Sequence, residues 1–333
     1  MKYSFVVPIC NDGALARDFT FEFQKAFRKR IGKDDLEQAV ELIFVDDGSS
    51  NDSVKKLKKV RAEFAFVKVI GLSRNFGQHI ALSCGYRYAT GDYVGMLNVD
   101  QEDPPDQLCV LLDAIEEPDN DWDIVGGLYE KRDVPFFAAL TSWAFNKTLA
   151  ALTGYDSPTN ASTARVMNRR FVDAYNALSE RSRYIPGLEM WLGFKYGRVP
   201  VVHKPRKVGK SSYNFSRRMR MATESIISFS DFPLRLTVKF GFLVAAAGIV
   251  LVLAQVVDKL FFRAFLPGYL STITIIVILG GVQIIITGIA SLYIGRVLAE
   301  VQGRPLFIVR EAHGVDAVAV PSRPAEVQPG RPS

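Results

Sequence analysis

Two long stretches without a charged residue constrain this chain more than any other feature of its sequence. Phe240–Val257 spans 18 positions and Tyr269–Ile294 spans 26. About 20 apolar residues in a helix cross the hydrocarbon core of a bilayer. The two stretches therefore predict a transmembrane hairpin, with helices at about 236–258 and 269–295. The alternative interpretation is a pair of helices buried in a protein core.

Basic residues around the hairpin predict its orientation. Lys239 precedes the first stretch, and Arg296 and Arg304 follow the second. The linker between the stretches carries Lys259 and Arg263. A further basic cluster precedes the first stretch and contains Lys204, Arg206, Lys207, Lys210, Arg217, Arg218 and Arg220. Because Lys and Arg accumulate in cytoplasmic segments, we expect both termini and the N-terminal region on the cytoplasmic face of an inner or plasma membrane.

The net charge of +6 is concentrated in that basic cluster. Beside membrane spans, such a cluster is expected to contact anionic lipid or phosphate rather than RNA. The expected partner is therefore a lipid bilayer, with no nucleic acid.

The region before the hairpin alternates apolar runs with amphipathic helical patterns. Strands are predicted at Tyr3–Ile9, Glu41–Val45, Phe66–Leu72 and Tyr93–Leu97, and helices at Leu15–Ile31, Ser53–Phe64 and His79–Ala89. Four strands that alternate with helices predict an open α/β sheet. Ligands of such sheets bind at the carboxyl ends of the strands.

Polar residues follow each of these four strands. They are Asn11-Asp12, Asp46-Asp47, Arg74-Asn75 and the stretch 98–103. Because the carboxyl ends of parallel strands share one edge of the sheet, these residues predict a single binding site. The first strand is followed by neither a G-x-G-x-x-G motif nor a P-loop. A bound nucleotide would therefore need another group, such as a divalent cation, to neutralise its phosphates.

The stretch 98–103 is the candidate for that cation site. Asn98, Asp100 and Glu102 fall at alternate positions, and in an extended chain they would face one way. Their oxygens suit a hard cation such as Mg²⁺ or Mn²⁺. The alternative is an acidic turn exposed to solvent.

Several predictions concern the segments nearer the hairpin. Val134–Leu152 is expected to form an interfacial amphipathic helix, and Gly187–Phe194 another helix. Val199–His203 is predicted to be a short strand. The basic loop Arg206–Tyr213 could close over phosphates, or serve as a juxtamembrane anchor. The tail from about residue 312 is predicted to be disordered.

Taken in order, these motifs resemble the polyprenyl-phosphate glycosyltransferases of glycosyltransferase family 2, which include enzymes of the dolichyl-phosphate mannose synthase type and two-span bacterial enzymes. The resemblance runs from about residue 3 to 310, and its motifs are Val6–Asp12, Phe44–Ser49, Leu72–Gly77, Asn98–Pro105, Arg206–Tyr213 and Glu300–Pro305. It implies a Rossmann-like GT-A domain at 1–210, juxtamembrane helices at 211–235, the hairpin at 236–296 and a cytoplasmic segment at 297–333. It is also compatible with a homo-oligomer.

The resemblance also implies roles for individual residues. The nucleotide-sugar donor would be bound by Pro8, Asn11, Asp46, Asp47, Arg74, Asn75, Asn98, Val99 and Asp100. A divalent metal would be held by Asn98, Asp100 and Glu102. The acceptor phosphate would be bound by Arg165, Arg206, Lys207, Lys210, Ser211 and Tyr213. The catalytic residues would be Asp100, Thr163, Arg165, Arg206 and Lys210.

The chain departs from the family's pattern at three positions. Asn98 replaces the first carboxylate of the metal motif, whereas Glu102 replaces a neutral glutamine, so the formal charge of the motif is kept. Thr163 stands where the family has a carboxylate near the reacting carbon. Threonine cannot act as a general base at neutral pH, but a phosphate monoester acceptor is already an oxyanion there.

The resemblance thus implies inverting transfer of a sugar from a nucleotide-diphosphate sugar to a polyprenyl phosphate on the cytoplasmic face, for modification of cell-envelope glycans or glycoconjugates. One alternative is transfer to a different lipid-linked acceptor. The other alternative is a catalytically degenerate membrane protein that binds nucleotide sugars.

Overall fold

The computed structural model of the chain describes residues 1–32, 35–129, 147, 160–202, 232–261 and 269–315. The chain divides into two compact units, of which one contains the β-sheet and the other contains two long apolar helices. The predicted helix at 134–152, the juxtamembrane helices and the basic loop at 206–213 lie outside the described residues.

The described strands and helices alternate along the chain, as the sequence predicts. The strands are β1 (Tyr3–Ile9), β2 (Val40–Asp46), β3 (Val67–Leu72), β4 (Tyr93–Met96), β5 (Ile124–Tyr129), β6 (Ala161–Asn168), β7 (Tyr196–Val201) and β8 (Val309–His313). The helices are α1 (Ala16–Ile31), α2 (Leu36–Ala39), α3 (Ser53–Glu63), α4 (Gln78–Tyr88), α5 (Asp106–Glu116), α6 (Arg169–Ala177), α7 (Ile185–Trp191), α8 (Phe232–Phe261) and α9 (Tyr269–Val301).

All eight strands join one mixed sheet in the order β7-β5-β6-β4-β1-β2-β3-β8. Strands β1 to β4, which were predicted to alternate with helices, form its parallel centre. Strand β6 is antiparallel to both β4 and β5. The prediction of an α/β sheet is confirmed. Because β6 runs antiparallel to β4, the amino-terminal part of β6 lies beside the carboxyl end of β4.

The core explains why the central strands are almost continuously apolar. Parallel strands covered by helices on both faces bury both sets of side chains, and every residue of β2 is buried. Helix α1 contributes a buried stripe of Phe19, Phe23 and Phe27 at four-residue spacing. The rings of Phe23 and Phe27 stack with centroids 4.4 Å apart, and Phe5 of β1 lies 4.7 Å from Phe27. Burial of each such ring contributes roughly 1.5–3 kcal/mol.

Strand β8 corrects the prediction for the C-terminal segment. Ala312 and His313, which were expected to be disordered, pair antiparallel with Ile70 and Val69 of β3. The alternating polar residues of this short segment do not by themselves predict a strand. The segment is a strand because the edge of β3 supplies its hydrogen-bond partners. Immediately before β8, Ile308 O accepts a hydrogen bond from Ser73 N at 2.9 Å.

Residues 304–313 therefore form a return segment that belongs to the unit containing the sheet. Phe307 is buried, and the Arg87 guanidinium lies 6.0 Å from its ring. Glu311 forms an ion pair with Lys58 of α3 at 2.5 Å. The main chain of Arg304 accepts a hydrogen bond from the Arg181 side chain.

Two smaller differences concern element boundaries. The strand predicted at Val199–His203 is β7, which begins at Tyr196 and ends at Val201 because it pairs in parallel with all of β5. The helix predicted at Gly187–Phe194 is α7, which ends at Trp191.

Helices α8 and α9 make up the described part of the second unit and contact each other. By length and composition alone, the segments Phe232–Val250 and Ile278–Val301 could each cross a bilayer, and neither is buried within the protein. The alternative of buried core helices does not fit this exposure. The apolar surface of α8 and α9 needs an environment other than water.

Candidate active site at the carboxyl ends of the strands

The loops after β1 and β2 are bound to each other at the carboxyl edge of the sheet. Asn11 adopts a left-handed conformation with φ of 68°, which asparagine tolerates better than most residues. Its backbone N–H donates to Ser49 Oγ at 2.8 Å, and its Oδ1 accepts from Ser50 N at 3.0 Å. Asn51 Nδ2 donates to Asn11 O at 2.8 Å. Pro8 is the penultimate residue of β1 and lies beside Val45 of β2.

Two consecutive buried carboxylates follow, and each holds a different loop. Asp46 accepts hydrogen bonds from the backbone N–H and the hydroxyl of Ser49. Asp47 accepts from the backbone N–H groups of Phe76 at 2.7 Å and Gly77 at 2.8 Å. Asp47 thereby ties the loop after β2 to the loop after β3. Burial raises its pKa, and so does the neighbouring Asp46 charge, although the two N–H groups act in the opposite direction.

The same two loops are in direct contact at Gly48. Its φ is +64°, and a Cβ atom there would lie 2.2 Å from the carbonyl carbon of Arg74. Only glycine fits so close to another backbone segment. The Arg74 guanidinium stacks over the Phe76 ring at 4.2 Å, and Asn75 Nδ2 donates to Cys10 Sγ at 3.3 Å. The predicted donor-site residues of the first three strands are therefore brought together.

The acidic stretch after β4 has a different shape from the one expected. Strand β4 ends at Met96, and Gln101 has a left-handed φ of 60°. The chain through Asn98, Asp100 and Glu102 is therefore not extended, which was the condition for their side chains to face one way. Glu102 N donates to Asp100 Oδ1 at 3.3 Å. We call residues 98–103 the acidic loop.

The oxygen atoms of the acidic loop suit Mg²⁺ or Mn²⁺, since carboxylates are the protein ligands that these ions prefer. Within the described residues, no three His, Cys, Asp or Glu side chains come together as a metal site. The Asn98 oxygen already accepts a hydrogen bond from Gln78 Nε2 at 3.0 Å. A metal held by Asp100 and Glu102 would thus need oxygens from a substrate diphosphate to complete its coordination.

A chain of hydrogen bonds joins the acidic loop to β6 and β5. Asn98 Nδ2 donates to Thr163 Oγ1 at 3.1 Å, and Thr163 Oγ1 donates to Asp103 Oδ2 at 2.9 Å. The other oxygen of Asp103 accepts from the Tyr129 hydroxyl at 2.8 Å. Burial and the Asp103 charge raise the pKa of Tyr129, which keeps its proton. Val99 is buried within the acidic loop.

Arg165, expected to bind the acceptor phosphate, is part of a buried ion pair. It lies opposite Met96 in the register of β6 with β4, and its Nη1 donates to both oxygens of Glu189 of α7 at 2.6 and 2.5 Å. Burial alone would lower its pKa, but the Glu189 carboxylate raises it, so the guanidinium stays charged. Burial and this positive charge lower the pKa of His79 to about 4. Glu189 thus already neutralises the charge that a phosphate would have met.

Sequence reasoning did not assign roles to Gln78, Asp103, Tyr129 and Glu189. Asp103 was visible only as part of the motif Asn98–Pro105, and the other three residues lie outside the motifs. The five predicted residues of the basic loop lie outside the described residues: Arg206, Lys207, Lys210, Ser211 and Tyr213.

Comparison with known proteins identifies the family of this chain. The family model "Glycosyl transferase family 2" matches residues 4–175. An uncharacterized glycosyltransferase, YkcC of Bacillus subtilis, is 31% identical over 95% of each chain. The undecaprenyl-phosphate 4-deoxy-4-formamido-L-arabinose transferase of Proteus mirabilis is 30% identical over 94% of each chain.

A solved structure is similar at lower identity. Glucosyl-3-phosphoglycerate synthase from Mycobacterium tuberculosis, in complex with Mn²⁺, uridine diphosphate and phosphoglyceric acid, has a TM-score of 0.47 at 15% identity, over 68% of this chain and 76% of that chain. The family model covers more than half of the sequence, and the two relatives align over nearly all of it. The chain therefore belongs to glycosyl transferase family 2, and its sheet-containing unit is a GT-A glycosyltransferase domain.

Proposed function

We propose that this enzyme transfers a sugar from a nucleotide-diphosphate sugar to a polyprenyl phosphate, on the cytoplasmic face of the membrane and with inversion at the anomeric carbon. One observation carries the proposal. The similarity to a transferase named for undecaprenyl phosphate extends over 94% of both chains, and so includes the two apolar helices as well as the GT-A domain. Helices of this kind would keep the active site close to an acceptor that resides in the membrane.

The proposed reaction is a single displacement. An oxygen of the acceptor phosphate forms a bond to the anomeric carbon, while the bond from that carbon to the donor diphosphate breaks and the nucleoside diphosphate leaves. The second pKa of a phosphate monoester is about 6, so the nucleophile is already ionised at neutral pH. Thr163, which cannot act as a base there, is compatible with this chemistry.

The loops after β1, β2 and β3 are proposed to bind the nucleotide. The hydrogen bonds of Asp46 and Asp47 fix the shapes of these loops, and Arg74 and Asn75 lie where they could contact the base, ribose or phosphates. Rigid positioning of this kind lowers the entropic cost of bringing donor and acceptor together.

Asp100 and Glu102 are proposed to hold Mg²⁺ or Mn²⁺ together with the donor diphosphate. The ion would supply positive charge that stabilises the diphosphate as it leaves. Because Arg165 is neutralised by Glu189, we assign the acceptor phosphate to Arg206, Lys207 and Lys210, supported by Ser211 and Tyr213. Arg165 is then a structural cation between β6 and α7.

A transfer assay with matched acceptors tests the reaction. The purified protein is incubated with a polyprenyl phosphate and a panel of UDP- and GDP-sugars, with and without Mn²⁺, and the lipid product is identified by mass spectrometry. The unphosphorylated polyprenol is the matched acceptor, and we expect no product from it. NMR of the product's anomeric linkage, compared with that of the donor, reports whether the configuration is inverted.

Two aspartates at opposite ends of β4 provide the matched enzyme variants. Asp100→Ala is expected to lower transfer about 100-fold or more. Asp92→Ala, at the exposed amino end of the same strand, is expected to leave transfer unchanged. Equal activity of the two variants would contradict the role given to Asp100.

The catalytically degenerate alternative is motivated by Asn98 and Thr163. It predicts nucleotide binding without lipid product across the whole donor panel. Transfer to a lipid-linked acceptor other than polyprenyl phosphate would instead support the second alternative.

The exposed thiol of Cys10 offers a test of topology. Cys84 is buried and Cys109 is partly buried, so a membrane-impermeant maleimide should react first at Cys10. We expect labelling in inverted vesicles and none in right-side-out vesicles. Cys10→Ser is the control, and labelling from the outside would overturn the cytoplasmic assignment.

A further inference from the structure

The two neutral residues that replace expected carboxylates are in contact with each other. Asn98 and Thr163 are 65 residues apart in the sequence, yet Asn98 Nδ2 donates to Thr163 Oγ1 at 3.1 Å. Two independent losses of a carboxylate would not need to meet. Because of this contact, a change at either position alters the hydrogen bonding of the other.

Thr163 also holds the far end of the acidic loop. Its hydroxyl donates to Asp103 Oδ2 at 2.9 Å, so one side chain binds the first and the last residue of a six-residue loop. Asp100 and Glu102 lie between these two points, on either side of the left-handed Gln101. The left-handed conformation is unfavourable for glutamine, and the bonds at both ends of the loop help to maintain it.

The chemistry of the hydroxyl explains why position 98 is an amide. A carboxylate only accepts hydrogen bonds, and a threonine hydroxyl has one hydrogen, which it gives to Asp103. The Thr163 oxygen must then accept, and the Asn98 amide supplies the hydrogen. Its oxygen consequently faces Gln78 Nε2 at 3.0 Å. Aspartate at position 98 would have no hydrogen to donate.

We propose that Thr163 is a positioning residue that clamps the acidic loop from both ends, and that Asn98 is its required partner. The clamp sets the positions of Asp100 and Glu102 relative to the donor site. This inference rests on the proposed function for its catalytic consequence, but the clamp itself is a property of the loop.

The test compares variants of nearly equal size. Thr163→Val removes the hydroxyl and keeps the branched shape, Thr163→Ser keeps the hydroxyl, and Asn98→Asp removes the donor. Thr20→Val is the matched control, because Thr20 is a buried threonine whose hydroxyl donates to Ala16 O of its own helix α1 at 2.7 Å, far from the acidic loop in sequence.

The rate of hydrogen–deuterium exchange in residues 97–107 measures how firmly the clamp holds the loop, independently of enzyme activity. In the native protein the Leu97 amide donates to Val6 O of β1 at 3.2 Å, and the Glu102 amide donates to Asp100 Oδ1 within the loop at 3.3 Å. We expect exchange to be about 10-fold faster in Thr163→Val and Asn98→Asp, and unchanged in Thr163→Ser and Thr20→Val. The double variant Asn98→Asp/Thr163→Val should be no faster than the faster single variant, because one interaction cannot be lost twice.

Measurements of metal affinity and enzyme kinetics test the functional consequence of the clamp. We expect Thr163→Val to weaken Mn²⁺ binding in the presence of nucleoside diphosphate, and to lower kcat, each about 10- to 100-fold. Thr163→Ser should restore both to within about threefold of the native values. A purely structural defect would instead lower the unfolding temperature further than Thr20→Val does, with kcat per folded enzyme unchanged.

The outcomes separate the clamp from the proposed function. Native exchange in Thr163→Val, or multiplicative effects of the two substitutions, would overturn the clamp whatever the enzyme's acceptor is. If the native protein transfers no sugar to polyprenyl phosphate while the exchange pattern follows the expectation, the proposed function fails and the clamp stands.

Discussion

Glu41 and Asp47 are buried carboxylates at opposite ends of strand β2, and their surroundings shift their pKa values in opposite directions. Burial by itself would raise the pKa of Glu41. The Lys68 ammonium, the Ser4 hydroxyl and the Thr90 backbone N–H outweigh that effect and lower it. Thr90 donates to Glu41 from its backbone N–H at 2.6 Å and from its hydroxyl at 2.9 Å. The amino end of the strand thus encloses a carboxylate together with its counter-charge.

At the carboxyl end the buried carboxylate is Asp47, on which the positive charge of Arg74 acts less strongly than burial does. Burial and the adjacent Asp46 charge raise the pKa of Asp47, and they outweigh the Arg74 charge and the hydrogen bonds from the backbone N–H groups of Phe76 and Gly77. Groups with unfavourable electrostatics concentrate at functional sites, whereas compensated pairs serve stability. The comparison teaches that the polar groups at the amino ends of the strands hold the sheet together, and that those at the carboxyl ends hold loops in shape for a ligand.

Removal of the counter-charge at the amino end should have the largest effect. Lys68→Met leaves the buried Glu41 charge unpaired, which is expected to cost about 3–5 kcal/mol of unfolding free energy. The measurement is denaturant unfolding of the detergent-solubilised protein. Lys195→Met, which breaks an exposed pair with Asp121, should scarcely move the unfolding midpoint. Weaker nucleotide binding by the folded Lys68→Met protein would break the distinction between the two ends.

A substitution at the carboxyl end of β2 should instead act mainly on ligand binding. Gly48→Ala and Gly32→Ala both place alanine at a positive φ, where backbone strain costs roughly 1–3 kcal/mol. Only at Gly48 would the new Cβ collide with the Arg74 backbone, since Gly32 has open space around it. We expect Gly48→Ala to weaken binding of nucleoside diphosphate about 10-fold or more, because displacement of the loop misplaces Arg74 and Asn75.

Calorimetric titration with UDP and GDP measures the effect of these glycine substitutions. Gly32→Ala should bind as the native protein does. Equal affinities of the two variants would show that the loop contact at Gly48 has no part in ligand binding.

The pH dependence of stability should show the smallest effect and the sharpest contrast. The pKa of Glu41 is lowered on folding, so its contribution is present above the ordinary glutamate range and is lost as the pH falls through the lowered value. The pKa of Asp47 is raised, so its effect on stability becomes unfavourable as the pH rises from the ordinary aspartate range through the raised value.

Unfolding temperatures across the acidic range test both signs. Glu41→Gln should flatten the loss of stability towards low pH, and Asp47→Asn should remove the decline as the pH rises. The same slope change in both variants would contradict the opposite shifts.

Much of this fold follows from local pattern. Strands β1 to β4 are continuous apolar runs between turn residues, and in a parallel sheet their carboxyl ends must share one edge. The grouping of Asn11, Asp46, Asp47 and Arg74 was therefore predictable from the sequence. The stripe of α1 was predictable for the same reason, because Phe19, Phe23 and Phe27 repeat at helical spacing.

The remainder depends on contacts between distant segments. Glutamine is not a typical residue of left-handed turns, so Gln101 gave no sign of the turn in the acidic loop. The shape of that loop depends on Thr163 of β6, which is distant in the sequence. Glu189 neutralises Arg165 from a short helix, a pairing that no motif announces. The sequence gives Arg165 no recognisable partner, whereas in the fold its charge is paired with that of Glu189.

The return segment has a consequence for how this protein is made. Strand β8 is translated after both apolar helices, so β3 is an open edge of the sheet until the ribosome has passed residue 313. An uncovered apolar edge is a template for pairing with other chains, and domains that wait for a distant segment are exposed to aggregation. A nascent chain arrested before β8 would thus contain every predicted donor-site residue and still be vulnerable to aggregation.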